Sequence, residues 1–228
     1  MYEILLIDLD DTVLDFQGAE AVAIRKTLAD AGLEPTDAVC QRYSECNQMH
    51  WKRLERGEIT RDQVLVGRFQ MLFDEMGIQV DAAAVSSAYT ENLSRGHDFL
   101  PGAEDALEAL QKKYRLFLAS NGTAWVQYRR IADSGVGKYF EKVFISQEIG
   151  VNKPAKEYFD RCFAQIPGFA PEKTMMVGDS LSSDILGGQN AGIATCWVNP
   201  KGKKCTLEKA PDHEIEGIWQ LEELLNTI

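Results

Sequence analysis

Two aspartates, Asp8 and Asp10, stand two residues apart at the carboxyl end of an apolar run. If that run is a strand, its two-residue period puts both side chains on one side of the sheet. Carboxylates so close repel each other, and a divalent cation or a shared proton relieves the repulsion; a solvated acidic turn is the plainer alternative. Three further groups of chemically capable residues follow. Gly178-Asp179 closes another apolar run and opens a helix, so Asp179 is a candidate second metal oxygen. Asp184, five residues on, is either a third or a carboxylate that favours the positive helix end. Ser120-Asn121-Gly122-Thr123 offers a hydroxyl and backbone N–H groups that could cradle an oxyanion or simply cap a helix. Lys153, just before Pro154, is a compact cation able to neutralise phosphate.

These residues need elements to position them. Glu3 to Leu9 is nearly continuously apolar, as in a strand covered on both faces. From about 17 to 96 the period turns helical, with stretches over 17–31, 37–56, 60–76 and 81–95. Thr36, Thr60 and Asp81 stand as candidate N-caps and Gly32 and Gly77 as stops. After Leu100-Pro101-Gly102 the pattern alternates. Strands are predicted over 115–119, 142–145, 174–177 and 193–198, separated by helices near 102–113, 124–134, 155–165 and 182–190 and followed by a last one near 218–226. This alternation predicts an α/β chain with a Rossmann-like parallel sheet of five strands. Because the helical block follows the first strand and precedes the others, it reads as an inserted α-helical bundle cap over 15–98, with the core formed by 1–14 and 99–228. Residues 199–212 are expected to form an exposed loop. Each chemically capable group ends a core strand, the edge of an open α/β sheet where ligands bind.

Composition narrows the partners. The chain has 228 residues, 24 basic and 35 acidic, for a formal net charge of -11. That balance disfavours a broad footprint for nucleic acid polymers or anionic membrane, so an anionic ligand must meet a local positive site. Apolar stretches fall well short of the ~18 residues of a membrane span. Five cysteines without a Cys-x-x-Cys pair suit reduced thiols. The amino terminus has no basic stretch ahead of its apolar run, and a cytoplasmic location is the expectation.

In their order, Asp8-Leu9-Asp10-Asp11-Thr12, Ser120, Lys153-Pro154 and Gly178-Asp179 through Asp184 strongly resemble the motifs of the haloacid dehalogenase superfamily. The resemblance covers essentially the whole chain, and the helical insertion looks like the superfamily's first class of cap. It implies phosphoester hydrolysis in which Asp8 attacks phosphorus to form an aspartyl phosphate. Asp10 would protonate the leaving oxygen and later activate water. It further implies Mg2+ held by the Asp8 carboxylate, the Asp10 carbonyl and Asp179, with Asp184 a direct ligand or a holder of Lys153 or metal-bound water. Ser120, Asn121 and Lys153 would bind the substrate, and Thr12 would orient the loop. An acid at the position of Asp10 favours phosphatase over dehalogenase chemistry. Asp15-Phe16 and His97-Asp98 are candidate hinges.

The stretch from Asp8 to Phe16, the pattern from Trp51-Lys52 to Gly57, and Asn121-Gly122-Thr123 are similar to the bacterial pyrimidine 5′-nucleotidase subgroup. A 5′-nucleotidase acting on pyrimidine nucleoside monophosphates is what that implies. Phe16, His50, Trp51 and Tyr89 are either a stacking surface for the base or helical core. Alternatives are a phosphoglycolate or sugar-phosphate phosphatase, a β-phosphoglucomutase-like enzyme and a nucleotide-binding regulatory module without catalysis. A monomer or a homodimer fits equally.

Overall fold

A computed structural model describes all residues from 1 to 228. The chain divides into two compact units, Met1–Asp15 with Asp98–Ile228, and Phe16–His97.

The first unit is a six-stranded sheet, all parallel, in the order β3-β2-β1-β4-β5-β6. Its strands are β1 (Ile4–Ile7), β2 (Arg115–Ser120), β3 (Lys142–Ile145), β4 (Thr174–Gly178), β5 (Ala194–Val198) and β6 (His213–Ile215). Alternation across the central strands builds two cores. Leu5, Ile7, Leu116, Leu118, Met175 and Val177 face one side, packed with Ala103, Leu107, Leu110 and Leu221. Ile4, Leu6, Phe117, Ala119 and Met176 face the other, against Tyr158, Phe159 and Cys162. Each large apolar side chain fully buried this way contributes about 1.5–3 kcal/mol before entropy is charged against it, which is why these runs read as apolar throughout.

The connecting helices are α5 (Ala103–Leu110), α6 (Ala124–Ser134), α7 (Ser146–Ile149), α8 (Lys156–Phe163), α9 (Leu186–Ala191) and α10 (Leu221–Thr227); α1–α4 belong to the other unit. One strand and one α-helix go beyond the five predicted strands and their helices: β6, only three residues long, and the single turn α7. The helix expected at 182–190 begins as a π-helical turn, Leu181–Ile185, before α9. Wide turns of this kind are frequently found at functional sites.

The second unit is a bundle of α1 (Phe16–Asp30), α2 (Asp37–Glu55), α3 (Arg61–Met76) and α4 (Ala82–Leu93). The predicted caps form: Thr36 accepts from Val39 N, Thr60 makes a reciprocal capping box with Gln63, and Asp81 accepts from Ala83 N and Ala84 N. Gly77 ends α3 at φ 67°, a left-handed conformation that favours glycine. Tyr89 is buried against Tyr43 and Phe69, and buried His50 binds the Cys46 carbonyl through Nδ1 at 2.8 Å. These two of the four candidate stacking groups are therefore core. A buried polar chain joins the helices as well: the Glu20 carboxylate accepts from Ser44 and Asn47 at 2.6 Å, and Arg68 donates to Asn47 at 2.8 Å.

Candidate active site

The sheet order places β1 between β2 and β4, so successive crossovers run first to one side of β1 and then to the other. The carboxyl ends of β1 and β4 flank this reversal, where open α/β sheets bind ligands. Asp8 follows β1 and Asp179 follows β4, two adjacent strands.

Beyond Ile7 the chain leaves the strand. Asp8 N still bonds Val177 O at 2.9 Å, but Val13 N and Leu14 N both return to Leu9 O, and Asp11 adopts a left-handed φ of 56°. The two carboxylates go to different cations. Asp8 Oδ1 lies 2.7 Å from Lys153 Nζ, while Asp10 Oδ1 pairs with Arg130 and its Oδ2 accepts from Gln127 at 2.7 Å. Their repulsion is met by two side chains, one for each acid. Gln127 and Arg130 were missing from the sequence-derived site. Their signal was available, two polar residues three apart on the helix that follows Ser120.

Lys153 is almost completely buried, with its ammonium shared among Asp8 Oδ1, Asp184 Oδ1 at 2.6 Å and the Ala119 carbonyl at 2.6 Å. Burial alone would depress this amine, but the charges of Asp184 and Asp8 outweigh it and hold it above its ordinary value. Burial pushes the Asp8 carboxyl up to about 8, against the pull of Lys153 and with the push of Asp184 and Asp10. Asp179 is raised well above the carboxylate range, first by burial and then by Asp184 and Asp8.

The oxygens of Asp8, Asp179 and Asp184 lie within 4.8 Å of one another. Three hard oxygen donors this close, two of them with raised carboxyls, suit a hard divalent cation, whose charge would return them to the ionised form. Asp10 does not join them with its carboxylate, so any part it takes falls to its backbone carbonyl. Asp184 is fixed from two sides: Lys153 holds Oδ1, and Ser180 N donates to Oδ2 at 3.0 Å. A Cβ on Gly178 would collide with its carboxyl. Trp197 Nε1 donates to the Asp179 carbonyl at 2.8 Å, fixing that turn from β5.

Ser120 Oγ accepts from Gly122 N at 3.0 Å and Gln127 Nε2 at 2.8 Å. With both acceptor sites filled, its own proton remains to be donated to a ligand oxygen. Asn121 is tied to Lys153 through its side chain. Its Oδ1 accepts from Lys153 N and its Nδ2 donates to Lys153 O, both at 2.9 Å, so its side chain clasps the lysine loop. Thr12 is fully buried, yet its hydroxyl makes no hydrogen bond to the protein, so the expected loop-orienting bond is not formed.

Residues 2–192 match the model of the haloacid dehalogenase-like hydrolases, and the chain belongs to that family. It is 37% identical over 226 residues to pyrimidine 5′-nucleotidase PynA of Streptococcus pneumoniae, covering 99% of this chain and 95% of that protein. It is 30% identical over 221 residues to pyrimidine 5′-nucleotidase YjjG of Escherichia coli, covering 97% and 96%. The HAD-hydrolase YfnB of Bacillus subtilis, in a magnesium-bound crystal structure, superposes with a TM-score of 0.94 at 41% identity over 99% of both chains. No helix is long and apolar enough to cross a membrane.

Proposed function

We propose that this hydrolase cleaves phosphate monoesters, with pyrimidine nucleoside 5′-monophosphates as its substrates and Asp8 as its nucleophile. The observation that carries the reading is the buried Asp8 carboxylate, anchored through Oδ1 by Lys153 beside a serine whose proton is uncommitted. The substrate class is supported by the two full-length nucleotidase relatives.

Asp8 Oδ2 attacks phosphorus, the ester P–O bond breaks, and the departing sugar oxygen takes a proton from Asp10. Ser120 donates to a phosphoryl oxygen, while Lys153 supplies positive charge beneath it. In the second half, Asp10 accepts a proton from water as the water oxygen attacks phosphorus. The acyl P–O bond then breaks, releasing phosphate and restoring the Asp8 carboxylate. Asp8 and Asp179, with Asp184 beside them, would hold Mg2+, which would supply the charge that lets an anionic carboxylate approach an anionic phosphate.

Phosphate release with and without magnesium, over UMP, dUMP, dTMP, AMP, phosphoglycolate and hexose phosphates, tests the assignment. Preferred turnover of the pyrimidine nucleotides is expected. Preference for phosphoglycolate or a hexose phosphate would replace the substrate and keep the chemistry; silence over the whole panel would overturn both. Asp179→Asn should raise the magnesium concentration for half-maximal rate by about tenfold or more. An unchanged magnesium curve would remove Asp179 from the ligand set.

A further inference from the structure

Helix α6 carries a buried guanidinium that the proposed chemistry does not use. Arg130 is 1% exposed, and its Nη1 meets Asp10 Oδ1 and, at 3.0 Å, Gln127 Oε1. The Gln127 amide divides its two hydrogens between Asp10 Oδ2 at 2.7 Å and Ser120 Oγ at 2.8 Å. Only one amide orientation serves all three contacts. Flipped, it would set an oxygen against the Asp10 carboxylate and an NH2 against the guanidinium.

Room for this arrangement is built into the loop before α6, since a Cβ on Gly122 would overlap the Gln127 side chain. Burying an arginine is unfavourable unless it is paired and hydrogen-bonded. Here its acidic partner, Asp10, keeps 26% of its side chain exposed, so the rigid end of the pair is the arginine and the reactive end opens to solvent. Each Asp10 oxygen retains a second lone pair facing away from the contact it makes.

We infer that Gln127 and Arg130 are positioning residues that fix the Asp10 carboxyl plane and couple it, through one amide, to the Ser120 hydroxyl. This inference rests on the reading of Asp10 as the acid for the leaving group. Its consequence is selective: losing the clamp should slow esters whose leaving oxygen needs a proton more than those whose leaving group departs as a stable anion.

The test compares kcat/KM, which reports the steps through the first phosphoryl transfer, on UMP and p-nitrophenyl phosphate for Arg130→Met and for the milder Gln127→Met. With UMP a fall of about 100-fold is expected for Arg130→Met and about tenfold for Gln127→Met, from misplacement of the acid. With p-nitrophenyl phosphate Arg130→Met should stay within about threefold of the parent, and Gln127→Met, which also releases Ser120 Oγ, should lose several-fold less than it does with UMP. An equal loss on both esters would mark a purely structural role and overturn the inference, as would no loss on either. Asp10→Asn separates the two levels. If it shows the leaving-group bias and the α6 variants do not, only the clamp fails; if it shows no bias, the acid assignment fails and takes the clamp with it.

Discussion

Asp8→Asn is expected to reduce phosphate release by at least about 10^4-fold, in line with the loss of a nucleophile in other covalent mechanisms, while leaving the fold intact. An amide oxygen is a far poorer nucleophile than a carboxylate, and the substitution also removes the negative charge that Lys153 faces at 2.7 Å. Lys153 keeps Asp184 as a partner at 2.6 Å, so the buried ammonium is not abandoned. Stability should therefore change little while turnover disappears. Initial rates with a preferred ester, together with urea unfolding of the same preparation, check both halves. Retained turnover would remove Asp8 as nucleophile.

Lys153→Met is expected to act on both quantities. It withdraws the ammonium from between Asp8 and Asp184, leaving a pair of buried acids with no shared cation. Breaking a buried pair from one side costs about 3–5 kcal/mol. Urea unfolding should register a loss of that order, and phosphate release should fall by about 10^2- to 10^3-fold, as for removal of a group that stabilises transition-state charge. Lys204→Met, on an exposed loop residue, is the matched control and should do neither. Unchanged stability in Lys153→Met would mean that the triad is not held together by this charge.

Much of this was legible in the sequence, for reasons that differ by element. The central strands announced themselves because both faces are covered, which buries β1 and β4 at every position and fills them almost wholly with apolar residues. The helices of the second unit were legible through their caps, since Thr36, Thr60 and Asp81 satisfy free N–H groups by local chemistry alone. β6 escaped because three residues give no period to read. At the site, residue types at strand ends located Asp8, Asp179, Asp184 and Lys153 together. Local spacing could not say which charge answers which: Arg130 reaches Asp10 across 120 residues of sequence, and Lys153 reaches Asp8 across 145. The side-chain bonds of Asn121 were hidden for the same reason, because they go to the backbone of a residue 32 positions away. The Glu20–Asn47–Arg68 chain was equally hidden, each member reading as an ordinary polar residue of its own helix.

The central claim is a covalent phosphoryl group on Asp8, and rapid acid quenching during turnover of a preferred ester, followed by mass analysis of the peptide containing Met1 to Asp15, tests it most directly. A phosphoryl mass on Asp8, formed and lost at rates that match turnover and absent from Asp8→Asn, is the predicted result. Steady phosphate release with no phosphoryl group on that peptide, and undiminished in Asp8→Asn, would contradict the account and point to direct attack by water.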